Sequence, residues 1–396
     1  MILSFLIDSI RKGVLLAFLL LLFRQFFVLG LIAPLRIESG SMVPAFFGPR
    51  YEVVCEECRH VFLCGADGLV DREFLTCPGC GFAENLVRTA RYLPGERIII
   101  DRLTPPYARF DVIVYRNPKS PSRWSVKRIV ALPGEMVDFR DGNLWIDGEL
   151  YRKTLDEQRK TAIPYPFGRW NDEAIDGKRT VSFQPGEPIP HFAPRWSAQT
   201  NWGTNESDAS FFSLRNPYNQ LRRERPEEAQ RPTDEILLTF PASFLDDEIT
   251  ISTKHETIGV KKTDTKTLTI QQNGKILTAV PIPSRDRLEI SVIDRTFQLG
   301  DGRTTLLTVP LPNDVKPKMV PEMSPVVFRS DFMNTHEVEI RMDSYIPGSS
   351  SRWVVPENHY FVLGDNTAIS EDSRHWQSPF VPKNMILGIA RRLPRR

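Results

Sequence analysis

Two serines and a lysine in this sequence are residue types that together support nucleophilic catalysis. Ser39 and Ser41 flank a glycine, and the alternating residues before them predict a strand that presents both hydroxyls on one side. Lys127 lies in the apolar stretch WSVKRIV, where burial would disfavour its charged form and make it a base. The six histidines offer no evident alternative base. A pair of exposed cations on an edge strand is the other interpretation of Lys127 and Arg128.

Two C-x-x-C pairs form a second group of chemically active residues. They are separated by 18 residues, a spacing typical of zinc ribbons, in which two tight turns hold a metal with four thiolates. Disulfide pairing is the alternative if these cysteines lie outside the cytoplasm. Cys64 makes the cysteine count odd, so either one thiol is left over or Cys64 and His60 exchange as ligands. We predict a zinc-ribbon-like insert over residues 51–91, with the ligands Cys55, Cys58, Cys77 and Cys80.

The N-terminal segment is far more apolar than the rest of the chain. Residues 13–33 are apolar except at Arg24 and Gln25, and such a length is about what a helix needs to cross a bilayer. A cleaved secretory signal would be shorter and would end at a small-residue site. Arg11 and Lys12 precede the segment, which predicts a cytoplasmic N-terminus. We therefore expect a single-pass anchor over residues 1–34 in the cell membrane, with the body on the extracytoplasmic side.

The composition predicts a folded body that is mostly β. The chain has 396 residues, of which 41% are hydrophobic, enough for a full core and for two or three folding units. Its 51 lysines and arginines nearly balance 49 aspartates and glutamates, so no basic field indicates nucleic acid binding. The 32 prolines and recurrent turn residues separate short alternating runs, a pattern typical of β-rich proteins.

Four motifs occur in one order along the chain: an apolar span followed by Ser-Gly-Ser-Met, then FDVIVY, then KRIVALPGE, then GDN with SEDSRHW. As an ordered set they resemble the type I signal peptidases, membrane-bound serine–lysine endopeptidases that remove leader peptides from exported proteins. The resemblance covers about residues 11–48, 94–149 and 355–393. It implies a signal-peptidase-type β core over 35–50, 92–150 and 351–396. The chain departs from the family pattern at Glu38, at residues 367–369 and at Gln377.

Residues 151–350 resemble no family that we can name. The later part of this region contains short alternating runs and an Asn-Gly turn, which predict an inserted β-sandwich-like domain. Its earlier part is irregular and charged. We assign no chemistry to this insert.

The resemblance implies a role for each residue that matches a family motif. Ser41 is the expected nucleophile and Lys127 the general base. Ser39 is expected to help the Ser41 backbone N–H stabilise the oxyanion, and Ser370 to orient the lysine amine. The residues expected to line shallow substrate pockets are Leu35, Ile37, Met42 and Val126. The residues expected to give structural support are Asp365, Asp372, Arg374 and Arg128, the last pointing to the opposite face of the strand from Lys127.

The substrates that the resemblance implies are signal peptides of exported preproteins, cut at Ala-X-Ala-like sites without a catalytic cofactor. Zinc as a structural metal is predicted by the spacing of the cysteines and not by the resemblance. Membrane lipid and the protein-export machinery are the other expected partners. An alternative is a catalytically inactive envelope binding or scaffold protein built on a signal-peptidase core. A third interpretation is a soluble self-cleaving serine–lysine protease of the phage-repressor type, which the apolar N-terminal span and the Gly-Asp-Asn segment disfavour.

Overall fold

The computed structural model describes most of the chain, and its longest gaps lie between residues 164 and 351. The described residues are 2–25, 32–68, 72–78, 80–103, 106–117, 120–140, 142–164, 168–175, 178–185, 217–221, 231–245, 248–252, 257–264, 266–282, 286–311, 326–329, 337–346 and 351–393.

Strands dominate these described residues, which confirms the prediction of a mostly β fold. The two α-helices are α1 (Ile2–Phe23) and α2 (Leu155–Thr161). The strands are β1 (Ile32–Arg36), β2 (Arg50–Val54), β3 (Val61–Gly65), β4 (Phe74–Leu75), β5 (Asn85–Leu86), β6 (Arg91–Leu93), β7 (Arg97–Asp101), β8 (Val112–Asn117), β9 (Ser120–Ala131), β10 (Met136–Arg140), β11 (Asn143–Ile146), β12 (Glu149–Leu150), β13 (Ile163–Pro164), β14 (Gly168–Ile175), β15 (Lys178–Pro185), β16 (Arg231–Pro241), β17 (Glu248–Ser252), β18 (Thr257–Lys262), β19 (Thr267–Gln272), β20 (Lys275–Pro281), β21 (Arg287–Ile293), β22 (Thr296–Gly300), β23 (Thr305–Pro310), β24 (Val326–Arg329), β25 (Glu339–Tyr345), β26 (Trp353–Val354), β27 (His359–Leu363), β28 (Val381–Pro382) and β29 (Ile386–Arg392).

A seven-stranded antiparallel sheet positions the expected base. Its strand order is β1-β7-β29-β8-β9-β27-β28, so β9 is paired on both sides. Lys127 lies opposite Ile113 of β8, and the next residue, Arg128, lies opposite Leu363 of β27. The apolar run at the start of β8 is buried throughout, as expected for a strand covered on both faces. Lys127 is therefore fixed in the interior of a sheet.

A four-stranded antiparallel sheet packs against this one. Its order is β12-β11-β10-β26, and the hairpin β10–β11 follows the Leu-Pro-Gly turn of the sequence. The ring of Trp353 lies 4.9 Å from that of Phe361, between centroids, and Phe139 packs against both. These aromatic side chains belong to one apolar core shared by the two sheets.

Two small sheets carry the cysteine-rich region. One has the order β3-β2-β6 and the other pairs β4 with β5. Their buried side chains form a separate apolar cluster, which includes the Cys55, Cys64 and Cys77 thiols together with Phe62 and Leu75. We call residues 50–93 the cysteine lobe.

The described part of residues 151–350 contains two further antiparallel sheets, of orders β13-β25-β16-β21-β22-β23 and β14-β15-β24-β17-β18-β19-β20. Side chains from both, such as Phe240 and Ile258, lie in one common apolar core. Near the start of residues 151–350, the ammonium group of Lys153 is buried and contacts the carboxylates of Asp294 and Asp343 at 2.8 and 3.1 Å. This buried ion pair network ties α2, which follows Lys153, to the sheet.

The predicted membrane span is not found as a helix. Its first part lies in α1, while residues 26–31 lie outside the described residues. Among the residues that the structure describes, no helix combines the length and the apolar character that crossing a bilayer requires. The part of α1 that belongs to the predicted span runs from Gly13 to Phe23 and is shorter than a bilayer crossing needs, while the part of α1 before it contains Arg11 and Lys12.

Candidate active site

Ser41 lies in a single 3₁₀ turn, Gly40–Met42, that follows β1. The Val43 N–H donates to the Gly40 carbonyl at 3.2 Å and closes the turn. The strand predicted before the serines is present as β1 but ends at Arg36, so the serines lie in a turn beyond it and not on the strand. The hydroxyls converge nonetheless, and Ser39 Oγ lies 3.2 Å from Ser41 Oγ.

Lys127, on strand β9 of the seven-stranded sheet, contacts Ser41 in this turn. The Lys127 Nζ donates a hydrogen bond to Ser41 Oγ at 3.0 Å, and the lysine is only 5% exposed. Burial lowers the pKa of Lys127 to about 8, against the opposing effect of the Asp372 and Asp365 carboxylates. Roughly half of the lysine is then neutral at pH 8, and the neutral amine is the form that accepts a proton from a hydroxyl.

The loop after β27 holds the carbonyl side of the serine turn. The backbone N–H of Asn366 donates to the Ser41 carbonyl at 3.1 Å, and its side-chain amide donates to the Gly40 carbonyl at 3.1 Å. Ser370 is fully buried in this loop. A Cβ added at Gly364 would lie 2.1 Å from Ser370 Oγ and 2.6 Å from the Ser41 carbonyl oxygen. Glycine at this position therefore lets Ser370 and Ser41 pack into one site.

Two ion pairs surround the lysine. Arg128 is buried and donates from Nε and Nη2 to the Asp365 carboxylate at 2.7 and 2.5 Å. Arg374 contacts the two carboxylate oxygens of Asp372 at 2.9 and 3.0 Å. Burial alone would raise the pKa of Asp372, but a hydrogen bond with His375 and the charge of Arg374 lower it well below its usual range. Each of the two carboxylates near the lysine is thus paired with an arginine.

The four residues expected to line substrate pockets lie in one apolar cluster beside Ser41. Ile37 and Met42 are buried in it, at 4% and 1% exposure. Leu35 and Val126 are only partly buried and pack at its margin. The cluster therefore has two buried apolar side chains, Ile37 and Met42, and two partly exposed ones, Leu35 and Val126.

A family model described as signal peptidase, peptidase S26, matches residues 9–191 and 318–393, well over half of the chain. The chain belongs to this family. Most of the sites described above, including both serines, Lys127 and the loop with Ser370, lie inside the matched residues.

Curated relatives in this family match over shorter segments. Signal peptidase I of Pseudomonas fluorescens is 41% identical over 51 residues, which cover 13% of this chain and 18% of that protein. Signal peptidase I of Buchnera aphidicola subsp. Baizongia pistaciae is 26% identical over 141 residues, which cover 35% of this chain and 42% of that protein. The chain therefore spans less than half the length of these relatives.

Similarity to solved structures is slight. The binding domain of botulinum neurotoxin DC in complex with SialylT covers 65% of this chain and 49% of its own, at 10% identity and a TM-score of 0.19. A similarity at that level carries no argument about fold or function.

The cysteine lobe brings the two C-x-x-C pairs of this S26 family member together. The four Sγ atoms lie within 4.8 Å of one another, with 3.5 Å between Cys55 and Cys80 and 3.6 Å between Cys58 and Cys77. Four thiolates bound tetrahedrally at about 2.3 Å from a zinc ion would be about 3.8 Å apart. All five cysteines lie in described residues and none forms a disulfide. The donor set therefore fits a tetrahedral metal ion.

The two pairs form matching turns. Cys55 N–H donates to the carbonyl of residue 60 at 2.9 Å, and Cys77 N–H donates to the carbonyl of residue 82 at 2.8 Å. After each pair, the residue that follows the second cysteine has a positive φ, 62° at Arg59 and 77° at Gly81. Neither Cys64 nor His60 belongs to this group of four thiols, so the geometry does not support an exchange of ligands between them. The Cys64 thiol is buried elsewhere in the lobe, and burial raises its pKa to about 12.

Two parts of the site were missed from the sequence. Asp67, in the cysteine lobe, accepts a hydrogen bond from the Gly40 N–H at 2.8 Å. Asn219, in the region to which we assigned no chemistry, exchanges side-chain hydrogen bonds with Asn366 at 2.9 and 2.7 Å. Nothing in the local sequence around either residue indicates the contact, because both are brought to the serine turn by tertiary packing.

Proposed function

We propose that this chain is a type I signal peptidase that cleaves peptide bonds with Ser41 as nucleophile and Lys127 as general base. The observation that carries the proposal is the 3.0 Å contact between Lys127 Nζ and Ser41 Oγ. Burial, which lowers the pKa of this lysine to about 8, supports it, because a base is most effective when its pKa is close to the working pH.

The proposed reaction has two steps. The neutral amine of Lys127 takes the proton of Ser41 as Oγ attacks the scissile carbonyl, and the ammonium then protonates the leaving amine. Water, activated by the same amine, hydrolyses the acyl-enzyme. Ser39 and the Ser41 backbone N–H are proposed to stabilise the oxyanion, and Ser370 to orient the lysine. Such donors accelerate the reaction because they meet charge that develops only in the tetrahedral intermediate.

The proposed substrates are preproteins with Ala-X-Ala-like cleavage sites. Leu35 and Val126 are partly exposed beside the buried side chains of Ile37 and Met42, and this apolar surface next to Ser41 supports the proposal. Shallow apolar pockets discriminate mainly by excluding bulk. Strand β1 lies at the edge of its sheet, so an extended substrate has backbone groups available for pairing.

We propose three further features of the molecule. The chain is proposed to divide into a catalytic core, a cysteine lobe and a β-rich insert, and the grouping of strands into sheets supports this division. The four clustered thiols are proposed to hold one structural zinc ion, which takes no part in the reaction. The exposed apolar side chains of α1, such as Leu16 and Leu20, are proposed to contact lipid; contact with the export machinery remains a prediction.

The experiment that tests the activity uses two preproteins in detergent micelles. One carries Ala at the first and third positions before the cut, and its matched control carries Phe at both. We expect cleavage of the first alone, with the new N-terminus, read by mass spectrometry, directly after the Ala-X-Ala site. Failure to cleave the first substrate, or equal cleavage of both, would contradict the proposed function and favour a non-catalytic envelope binding protein.

A further inference from the structure

A five-residue segment of the insert lies against the serine turn. Residues 217–221, here called the strap, contain the 3₁₀ turn Pro217–Asn219. The ring of Tyr218 packs so closely on Gly40 that a Cβ added there would lie 2.2 Å from Tyr218 Cε1. Gly40 is the residue immediately before Ser41, so the strap contacts the turn at its first residue.

The strap also reaches the turn through a pair of side-chain amides. Asn219 Nδ2 donates to Asn366 Oδ1 at 2.9 Å, and Asn366 Nδ2 donates to Asn219 Oδ1 at 2.7 Å. The second N–H of Asn366 Nδ2 donates to the Gly40 carbonyl at 3.1 Å. Both asparagines are 2% exposed, so no solvent is at hand to replace a lost partner. Asn219 therefore fixes the orientation of the amide that holds the serine turn.

The cysteine lobe supplies the opposite contact. Asp67 Oδ2 accepts from the Gly40 N–H at 2.8 Å, while Asn366 bonds the carbonyl of the same residue. The peptide groups on both sides of Gly40 are thus held by two side chains: Asp67 from the cysteine lobe, and Asn366 from the loop after β27, whose amide Asn219 of the strap orients.

The strap is itself fastened to the cysteine lobe. Gln220 donates to the Thr76 carbonyl at 2.8 Å and accepts from the Thr76 N–H at 2.7 Å, next to one of the clustered cysteines. The Tyr218 hydroxyl donates to the Pro49 carbonyl at 2.9 Å, and Leu221 packs in the apolar cluster of the lobe. These contacts with the cysteine lobe therefore hold the strap in place against the serine turn.

We propose that the strap and the cysteine lobe position Ser41 for attack, with Asn219 and Asp67 as positioning residues. The inference rests on the proposed function and deepens it. Neither residue contacts the reacting atoms; both act through the peptide groups of Gly40, which set the direction of the Ser41 side chain and of its backbone N–H. A displacement of about 1 Å in a reacting group lowers the rate by up to about 100-fold, so loss of one holding contact is expected to lower kcat.

The test uses the full chain with three variants at these positions and one control. Asn219→Ala and Asp67→Ala are each expected to lower kcat about tenfold with KM within about twofold, an amount that corresponds to about 1.4 kcal/mol. Asp67→Asn keeps an acceptor oxygen for the Gly40 N–H and is expected to recover most of the lost rate. Gln158→Ala is the control, because Gln158 is a buried amide that donates to the Lys153 carbonyl and accepts from Ser291 Oγ, and neither group contacts Gly40 or Ser41. It is expected to lower the melting temperature but not kcat.

Hydrogen exchange gives a readout that needs no cleavage. Backbone amides of residues 40–43, 45 and 46 should exchange faster in Asn219→Ala than in the native chain, and at the native rate in Gln158→Ala. An unchanged exchange rate and kcat in Asn219→Ala and Asp67→Ala, or an equal loss of kcat in Gln158→Ala, would overturn the inference. If the native chain cleaves nothing while exchange responds as expected, the proposed function fails and the support of the turn by the strap still stands.

Discussion

The pH dependence of cleavage follows directly from the environment of Lys127. Its pKa is lowered to about 8, chiefly by burial; Asp372, Asp365 and Glu371 oppose this change, and Arg374 adds to it. The reaction requires the neutral amine, so activity should rise with pH. With a pKa of 8, the neutral fraction is about 0.09 at pH 7, about 0.5 at pH 8 and about 0.9 at pH 9.

The expected result is a rise in kcat/KM of about tenfold between pH 7 and pH 9, followed by a plateau. An ordinary lysine with a pKa of about 10.4 would instead give a rise of nearly 100-fold and no plateau below pH 10. The assay is the initial rate of preprotein cleavage at low substrate concentration in buffers of constant ionic strength, with folding checked by circular dichroism at each pH. A rate that is independent of pH over this range, or that falls, would refute the assignment of Lys127 as a buried base.

Three further predictions concern stability and metal binding. Lys127→Met should stabilise the fold by about 3 kcal/mol at pH 7, because burial lowers the pKa of Lys127 from 10.5 in the unfolded chain to about 8 in the native chain. The native state therefore binds protons less tightly than the unfolded state, and removing the lysine removes this cost. The gain, measured by urea titration, should vanish as the pH rises from about 8 to above 10.5. Lys153→Met should cost about 3–5 kcal/mol, since it leaves buried carboxylates without their cation, whereas the half-exposed Lys160→Met should change urea stability by less than about 1 kcal/mol. The purified chain should contain about one zinc ion by atomic emission; Cys58→Ser should lose it and Cys64→Ser should keep it, and equal zinc contents in the two variants would contradict the assigned ligands.

The site residues that could be predicted from the sequence lie on regular strands or in short motifs. Lys127 and Arg128 alternate on β9, so their opposite directions follow from the period of a strand. The two C-x-x-C turns are likewise local, and their spacing is enough to bring four thiols together. The mostly β class was also predictable, because the short alternating runs between turn residues are local patterns of the sequence.

The remaining features depend on contacts between distant parts of the chain. Asn219 and Asn366 are 147 residues apart and meet only when the insert has folded against the core. Asp67 reaches Gly40 through the packing of the cysteine lobe. The helix α1 begins at Ile2 and includes Arg11 and Lys12, whereas the apolar pattern predicted a span that begins after these residues. Local patterns therefore predicted the proposed nucleophile and base, but not the groups that hold the serine turn.

The most direct test of the account is cleavage of the Ala-X-Ala preprotein at pH 8 by the native chain and by Ser41→Ala and Lys127→Ala, with Lys383→Met as a control at an exposed lysine. The account predicts that the native chain and the control cut at the same site, while Ser41→Ala and Lys127→Ala remain folded and lose activity by at least about 1,000-fold. Cleavage at native rates by either dyad variant would contradict it.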